Sequence, residues 1–294
     1  MKHESGQLFE SPPPTTSSVP TPLAERMRPR SFEEFVGQQT VLGPGGPLRQ
    51  AIDRDALQSI ILWGPPGTGK TTVARLIATV TKAHFISFSA VLSGIKDIKA
   101  VMAEAEQARR SLGRRTTLFI DEIHRLSRVV EEVLYPAMED YFLSWMVGKG
   151  LGARSMNLRV NPFTLVGATT RYAMLSPPLR DRFGSVYRME FYDHVAMVSI
   201  VQRSASIFNV SIDDQGIKEI ASRSRGTPRV ANRLLKRTRD YAQVMADNVI
   251  TGEVALEALG RLGVDALGLD EPDHLVLRSI IEKFDGGPVG LDTI

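Results

Sequence analysis

Short apolar runs alternate with helical patterns over the first two thirds of the chain. Continuous apolar residues at 60–63, 117–120 and 163–167 predict buried strands, because each run is short and is bounded by polar or glycine residues. Apolar residues recur at helical spacing over 72–81, and the Ala-, Glu-, Lys- and Arg-rich segment 95–111 predicts a solvent-facing helix. Buried strands that alternate with helices indicate a parallel α/β sheet.

The pattern changes at 141–161, where two apolar arms flank three glycines. Alternating apolar residues on both sides of a glycine-rich turn predict a β-hairpin. Its alternating positions are Leu143, Trp145 and Val147 on the first arm and Met156, Leu158 and Val160 on the second. Exposed apolar arms favour a protein partner, and the alternative is that one face packs on its own domain.

Beyond Phe191 we expect no further strand. Helical spacing predicts a small helical domain over 194–264, with helices at 195–208, 213–223, 227–246 and 251–262. A further unit from 270 has room for one helix, at 273–284. The Ser-, Thr- and Pro-rich residues 1–20 predict a flexible leader without a packed core.

Composition narrows the class of protein. The 294 residues include 36 Lys and Arg against 33 Asp and Glu, a net charge of +3 that permits a polyanionic partner without requiring one. The chain has no cysteine, which excludes disulfides, thiolate zinc sites and a cysteine nucleophile. No apolar run approaches the ~18 residues of a membrane span, and the first residues lack the apolar core of a secretory signal. We therefore expect a soluble cytoplasmic protein with no membrane association.

A phosphate-binding motif follows the first predicted strand. Residues 64–72 match G-x-x-x-x-G-K-[ST], in which backbone N–H groups curl around a β-phosphate, the lysine adds a charge and the hydroxyl ligates Mg²⁺. A glycine- and proline-rich turn is the alternative. The candidate residues are Gly64, Gly67, Thr68, Gly69, Lys70, Thr71 and Thr72.

The second predicted strand ends in Asp121-Glu122. About 50 residues after a P-loop, such a pair is typical of a nucleotide hydrolase: Asp121 would hold the metal and Glu122 would polarise the attacking water. The alternative is a strand end with two solvated carboxylates. We expect ATP rather than GTP, because the chain has no Asn-Lys-x-Asp motif.

These motifs resemble those of AAA+ ATPases, and two families in particular. Residues 22–125 resemble the RarA (MgsA) replication-associated recombination proteins through PLAERMRPRSFEEFVGQQ and SIILWGPPGTGKTT. From Ile120 onward the chain resembles RuvB, the Holliday-junction branch-migration motor, through IDEIHRLSRVVEEVLYPAMEDY, NPFTLVGATTR, LSPPLRDRFG and RGTPRVANRLLKRTRDYA. The resemblance implies an α/β AAA+ domain at 21–193, a helical lid at 194–264 and the beginning of a truncated winged helix at 270–294.

The resemblance also implies roles for three further residues. Thr170 matches the sensor 1 residue that faces the γ-phosphate, Arg182 matches the arginine finger that reaches a neighbouring subunit's ATP, and Arg229 matches sensor 2. A fixed positive charge suits phosphate in the transition state. The alternatives are a strand cap for Thr170, a structural ion pair for Arg182 with Arg180 as competitor, and a plain exposed side chain for Arg229.

Other positions match nucleotide contacts of the family less specifically, and a core or surface role is the alternative for each. They are Met27 and Arg28 near the adenine, Tyr192, and Glu139, Asp140 and Tyr141.

The resemblance implies partners as well. A finger that acts in trans implies a head-to-tail ring, here a homo-hexamer, and the hairpin would dock on RuvA, with RuvC in the complex. Four-way junction and duplex DNA would be the substrates. Seven cations between 223 and 239 predict a solvated helix face. The alternatives are a nucleotide contact for Arg229 and a surface that attracts the phosphates of a duplex.

The sequence therefore predicts a RuvB-type motor that uses ATP and Mg²⁺, with Thr71 and Asp121 as metal ligands. Its catalytic residues would be Lys70, Asp121, Glu122, Thr170 and Arg182. One alternative is a RarA-like ATPase that acts at stalled replication forks. The other is a truncated ATP-binding module without motor activity.

Overall fold

The computed structural model describes residues 22–90, 94–147, 154–290 and 293, and within them the side chains of 95, 144–147 and 154–158 are not described. The expected leader at 1–20 lies outside the described residues. The strands are β1 (Ile60–Trp63), β2 (His84–Ser89), β3 (Thr116–Asp121), β4 (Phe142–Val147), β5 (Arg154–Arg159), β6 (Phe163–Thr169), β7 (Ser185–Arg188), β8 (Ser211–Ile212) and β9 (Val249–Ile250).

The helices are equally well delimited. They are α1 (Leu23–Arg26), α2 (Gln39–Leu42), α3 (Pro47–Asp53), α4 (Lys70–Val80), α5 (Ile95–Leu112), α6 (Arg128–Glu139), α7 (Pro177–Arg180), α8 (His194–Phe208), α9 (Asp214–Ser222), α10 (Pro228–Met245), α11 (Gly252–Arg261) and α12 (Glu271–Phe284). Among the described residues no helix is long and apolar enough to cross a membrane.

A five-stranded parallel sheet forms the centre of the first two thirds of the chain, in the order β2-β3-β6-β1-β7. The predicted strands β1, β3 and β6 are its three central members. The two edge strands, β2 and β7, were not predicted from the sequence. Buried and exposed side chains alternate in the second half of β2, and half-buried and exposed ones alternate in β7, so neither edge forms the continuous apolar run that marks a central strand.

Each face of the sheet is covered by helices. Leu118 and Ile120 of β3 point to one face and pack in a cluster with Leu134 of α6, whereas Phe119 points to the other and packs with Val73 and Leu76 of α4. The alternation follows from the period-two geometry of a strand. Both faces are therefore buried, and the carboxyl ends of the central strands remain as the accessible edge.

The predicted hairpin is present as the antiparallel pair β4–β5, with Phe142 opposite Arg159 and Val147 opposite Arg154. At its base, Leu143 and Val160 are buried in the same core cluster as α6. The base of the hairpin therefore packs on its own domain. The outer predicted positions, Trp145, Val147, Met156 and Leu158, lie outside the described side chains.

Helices α8 to α11 pack around a core of their own, close to the predicted bounds. The expectation that no strand follows Phe191 was wrong, because β8 and β9 form a short parallel pair with Ser211 opposite Val249. Each strand has only two residues, too few for an apolar run to reveal them in the sequence.

Helix α12 begins two residues before its predicted start, because Asp270 caps it and exchanges side chain–backbone hydrogen bonds with Asp273. An ion pair of 2.7 Å from Arg225 to Asp273 attaches it to the helical unit. The helix exposes large apolar side chains at Leu275, Val276, Leu277 and Ile281. A winged helix at 270–294 stays a prediction.

Candidate functional site

A cavity of about 620 Å³ lies between the carboxyl edge of the sheet, the segment after α1, and helices α8 and α10. Most of the predicted site residues meet here, although they are up to about 200 positions apart in the chain. Those that line the cavity are Met27, Arg28, Gly67, Gly69, Lys70, Thr71, Thr72, Asp121, Glu122, Thr170, Tyr192 and Arg229.

The loop between β1 and α4 curls back over the start of the helix. Gly64 has φ +146° and Gly69 has φ +96°, conformations that side chains rarely adopt. A Cβ on Gly64 would lie 2.1 Å from the Met189 carbonyl oxygen. The loop follows this path only with glycine at these positions, and α4 begins directly beneath it. Its backbone N–H groups and the positive helix end favour an anion.

Lys70 is nearly fully buried at the bottom of this loop. Its ammonium donates hydrogen bonds to the carbonyl oxygens of Gly64 (2.9 Å) and Pro65 (2.7 Å). Burial lowers the pKa of Lys70, and the nearby carboxylates of Glu122 and Asp121 act in the opposite direction. The loop thus carries a positive charge near two negative ones, and the Lys70 ammonium is bound directly by two neutral carbonyl groups.

Strands β3 and β6 are neighbours in the sheet, so the residues that follow them lie side by side. The Thr170 hydroxyl donates to Glu122 Oε2 at 3.2 Å. His124, whose side chain is almost wholly buried, places Nδ1 2.8 Å from Thr169 Oγ1 and 3.3 Å from the same Glu122 oxygen. Burial lowers the pKa of His124. Glu122 is therefore fixed from two sides while it still lines the cavity.

The donor set also fits a Mg²⁺–phosphate ligand. Thr71 and Asp121 both line the cavity and offer a hydroxyl and a carboxylate oxygen. Mg²⁺ in such sites takes one or two protein oxygens and completes its shell with water and phosphate. In the part of the chain that the structure describes, no group of three or more His, Asp or Glu residues could hold a metal alone. Water and phosphate oxygens would complete the shell of a Mg²⁺ held by Thr71 and Asp121.

The opposite wall comes from the helical unit. Arg229 lies in the first turn of α10, and Tyr192 precedes α8. The Tyr192 hydroxyl donates to the Thr68 carbonyl oxygen at 3.2 Å, and burial raises the pKa of Tyr192 to about 12. Tyr192 thus supports the loop from behind as well as lining the cavity. Thr68 is itself buried and donates to Pro65, at 2.9 Å.

Arg203 of α8 also lines the cavity, although it was not predicted from the sequence. It donates to the carbonyl oxygen of Met27 (2.8 Å) and to Glu34 (2.7 Å), which joins the segment after α1 to the helical unit. Nothing in its local sequence distinguishes it from any polar residue of an amphipathic helix. Other missed lining residues are Leu23, Ala24, Pro29, Glu34, Phe35, Val36, Pro66, Ile200, Ser204, Pro228, Asn232, Arg233 and Lys236.

Six predicted site residues do not line this cavity. Gly64 and Thr68 belong to the phosphate loop itself, and the other four are Glu139, Asp140, Tyr141 and Arg182. Arg182 forms an ion pair with Glu139, 3.2 Å from Nε to Oε1, and donates to the Pro178 carbonyl oxygen at 2.7 Å. Both residues lie on another face of the domain, where α6 ends. The competitor Arg180 lies over the Tyr172 ring instead, at 5.6 Å.

The basic run of 223–239 does not form one uniform face. Its members Arg229, Arg233 and Lys236 line the cavity. Arg223, Arg225 and Arg239 form ion pairs with Glu219, Asp273 and Asp240, carboxylates that all lie outside the run. Neither a purely solvated helix face nor a continuous phosphate-attracting stripe describes this surface.

Family models match nearly the whole described chain. The model of the Holliday junction DNA helicase RuvB P-loop domain matches residues 27–189, and that of the RuvB AAA lid domain matches residues 192–265. The chain belongs to the RuvB family. It has the α/β AAA+ P-loop fold with a helical lid, as the sequence predicts.

Individual RuvB proteins are similar over most of their length. The Holliday junction branch migration complex subunit RuvB of Dehalococcoides mccartyi (strain CBDB1) is 54% identical over 275 residues, covering 92% of this chain and 77% of the relative. That of Chloroflexus aurantiacus (strain ATCC 29366 / DSM 635 / J-10-fl) is 48% identical over 287 residues, covering 96% and 79%.

Solved structures support the same family assignment. The Thermotoga maritima RuvB Holliday junction branch migration motor has 40% sequence identity and a TM-score of 0.77, covering 91% of this chain and 84% of that one. Because the RuvB P-loop model covers 27–189, it includes the first half, where the sequence also resembles RarA. None of the relatives named here is a RarA protein.

Proposed function

We propose that this protein is an ATP-driven DNA motor that moves the branch point of Holliday junctions together with RuvA, in recombination and repair. The observation that carries the proposal is the meeting of Lys70, Thr71, Asp121, Glu122 and Arg229 around one cavity in a chain of the RuvB family. Phosphate-binding, metal-binding, water-activating and sensing groups then surround a single nucleotide.

The residues divide the chemistry among them. The 64–72 loop and Lys70 bind the β- and γ-phosphates. Thr71 and Asp121 would hold Mg²⁺, which would neutralise charge on the phosphates when bound. Glu122 orients the attacking water, and Thr170, hydrogen-bonded to it, senses the γ-phosphate. Arg229 adds a positive charge from the helical unit. Met27 and Arg28, which also line the cavity, would lie near the adenine base.

Arg182 completes the site of a neighbouring subunit. It lies outside its own cavity, and its guanidinium already has a carboxylate partner on the same surface. A residue that acts across a head-to-tail interface generates a ring, which we infer to be a homo-hexamer. Turnover then depends on assembly, and Arg182→Ala would abolish hydrolysis while nucleotide binding persists.

The remaining parts of the proposal concern organisation and partners. An ATPase domain at 21–193 and a lid at 194–264 would be followed by the start of a winged helix at 270–294. The hairpin, whose base packs on the ATPase core, would present its tip to RuvA, with RuvC in the same complex. Duplex and four-way junction DNA would be the substrates, and the cytoplasm the location.

ATP-dependent dissociation of a synthetic four-way junction tests this proposal, with and without RuvA. Branch migration only with RuvA and ATP, and none with Glu122→Gln, is the expected result. The Glu122→Gln variant keeps the size of the side chain and the binding loop, so its nucleotide affinity serves as the folding control. Junction dissociation that is independent of ATP, or an unchanged rate in Glu122→Gln, would contradict the proposed motor.

A further inference from the structure

Arg182 rests on an aromatic platform that belongs to its own subunit. Its guanidinium carbon lies 4.3 Å from the centroid of the Tyr135 ring. A guanidinium over the face of an aromatic ring is attracted to the negative electrostatic potential of the ring. The Arg182 side chain is only 23% exposed, so this contact is largely shielded from water. Tyr135 therefore restricts where the guanidinium can lie.

Tyr135 is in turn held by a buried carboxylate. Its hydroxyl donates to Glu131 Oε2 at 2.8 Å, and the Ser176 hydroxyl donates to the same oxygen at 2.7 Å. Glu131 is 8% exposed, so these hydrogen bonds compensate for the loss of water around its charge. Because Ser176 also caps α7, the carboxylate joins α6 to the turn that carries Arg182.

The geometry of α6 aligns these groups. Glu131, Tyr135 and Glu139 are spaced four residues apart, which places them along one face of the helix. Glu131 anchors the ring of Tyr135, and Tyr135 supports the guanidinium of Arg182. Glu139 pairs with the same guanidinium, at 3.2 Å. Helix α6 also follows Glu122 after a single short 3₁₀ turn at Ile123–Arg125, so the platform is built directly onto the hydrolytic end of the sheet.

We propose that Tyr135 is a positioning residue for Arg182, anchored by Glu131 and Ser176, and that it acts on hydrolysis in the neighbouring subunit. This inference rests on the proposed role of Arg182 in trans. An arginine on a long flexible side chain loses much conformational freedom when it is fixed against a phosphate. A ring that already holds the guanidinium reduces that loss, and it leaves the nucleotide cavity of its own subunit untouched.

The test compares steady-state ATP hydrolysis by Tyr135→Leu, Tyr135→Phe and Arg182→Ala, each in the full chain under assembled conditions. Tyr135→Leu removes the ring face and should lower kcat about fivefold or more, with KM and equilibrium nucleotide binding little changed. Tyr135→Phe keeps the ring face but loses the hydroxyl that anchors it to Glu131, so its kcat should lie between those of Tyr135→Leu and the wild type. Tyr241→Leu is the matched control, because Arg261 lies over that ring, at 5.3 Å, in the helical unit.

Two further measurements separate positioning from a folding defect. The double variant Tyr135→Leu/Arg182→Ala should be no slower than Arg182→Ala alone. Mixing Tyr135→Leu subunits with Lys70→Ala subunits should give more turnover than the average of the two. In such mixed assemblies, a Lys70→Ala subunit contributes intact Tyr135 and Arg182 side chains to the nucleotide cavity of a neighbouring Tyr135→Leu subunit, whose own Lys70 is intact.

Each outcome decides a different claim. Full activity of Arg182→Ala would overturn the trans role and with it the proposed mechanism. Loss of activity in Arg182→Ala but wild-type kcat in Tyr135→Leu would overturn only the positioning role. Equal losses in Tyr135→Leu and Tyr135→Phe, or no complementation on mixing, would also contradict it, since a ring that supports the guanidinium survives in the phenylalanine variant.

Discussion

The hydroxyl of Thr170 donates a hydrogen bond of 3.2 Å to Glu122, the carboxylate that we propose orients the attacking water. The two residues are 48 positions apart and meet because β3 and β6 are adjacent in the sheet. Thr170 therefore serves as more than a strand cap. It holds the carboxylate and lines the cavity at the same time.

Thr170→Val should test this relationship with almost no change of shape. The variant removes the hydroxyl, leaves Glu122 one donor short, and should lower kcat for ATP hydrolysis about tenfold, which corresponds to about 1.4 kcal/mol. Nucleotide affinity should change much less, because the binding loop is unaffected. Thr170→Ser keeps the hydroxyl and is the matched control. Equal rates for the valine and serine variants would contradict the prediction.

Gly64→Ala should disrupt the phosphate loop. The new Cβ would lie 2.1 Å from the Met189 carbonyl oxygen, a backbone atom that cannot move aside without shifting the strand edge. Gly45→Ala is the control, since Gly45 also has a positive φ, +83°, but has open space where the new methyl group would lie. Thermal unfolding should show a clearly larger loss for Gly64→Ala than for the control, which is expected to lose only about 1 kcal/mol. Similar losses of stability in Gly64→Ala and Gly45→Ala would contradict the prediction.

Arg203→Ala should weaken nucleotide binding although Arg203 belongs to no recognised motif. It removes the hydrogen bond to Met27 and the ion pair with Glu34 that join the segment after α1 to α8. We expect the Kd for an ATP analogue to rise severalfold, measured by equilibrium fluorescence titration. Arg261→Ala removes a surface ion pair with Glu257 in the same helical unit and should leave the Kd unchanged. An unchanged Kd in Arg203→Ala would contradict the prediction.

His124 should make the stability of the protein sensitive to acid. Burial lowers the pKa of His124 in the folded chain, whereas the pKa of an unfolded histidine is about 6.5. The unfolded state therefore binds the proton first, and the free energy of unfolding should fall as the pH decreases from about 6.5 through the folded pKa. His124→Asn removes this titration while the other described histidines remain. Its melting temperature should fall less steeply with acid than that of the wild type, and parallel curves would contradict the prediction.

Much of the fold and site follows from the sequence because local signals carry them. The central strands β1, β3 and β6 have continuous apolar runs, and the 64–72 motif fixes its own loop through glycine geometry. The edge strand β2 has no such run, since one side of it is unpaired and its side chains alternate in burial. Contacts between residues that are far apart in the chain leave no signal in the local sequence. The bonds of Arg203 to Met27 and of Arg182 to Glu139 depend on how separate elements meet.

Tyr192 connects three parts of the molecule at one point. Its hydroxyl bonds to Thr68 in the phosphate loop, its backbone amide donates to Gly226 at 2.9 Å, and α8 starts two residues later. The N-terminus of α10 lies close to Tyr192, and this helix of 18 residues extends about 27 Å from there. Rotation of the helical unit about Tyr192 would therefore act as a lever with its pivot beside the phosphates. Such a rotation would move the far end of α10 much further than the groups beside the phosphate loop.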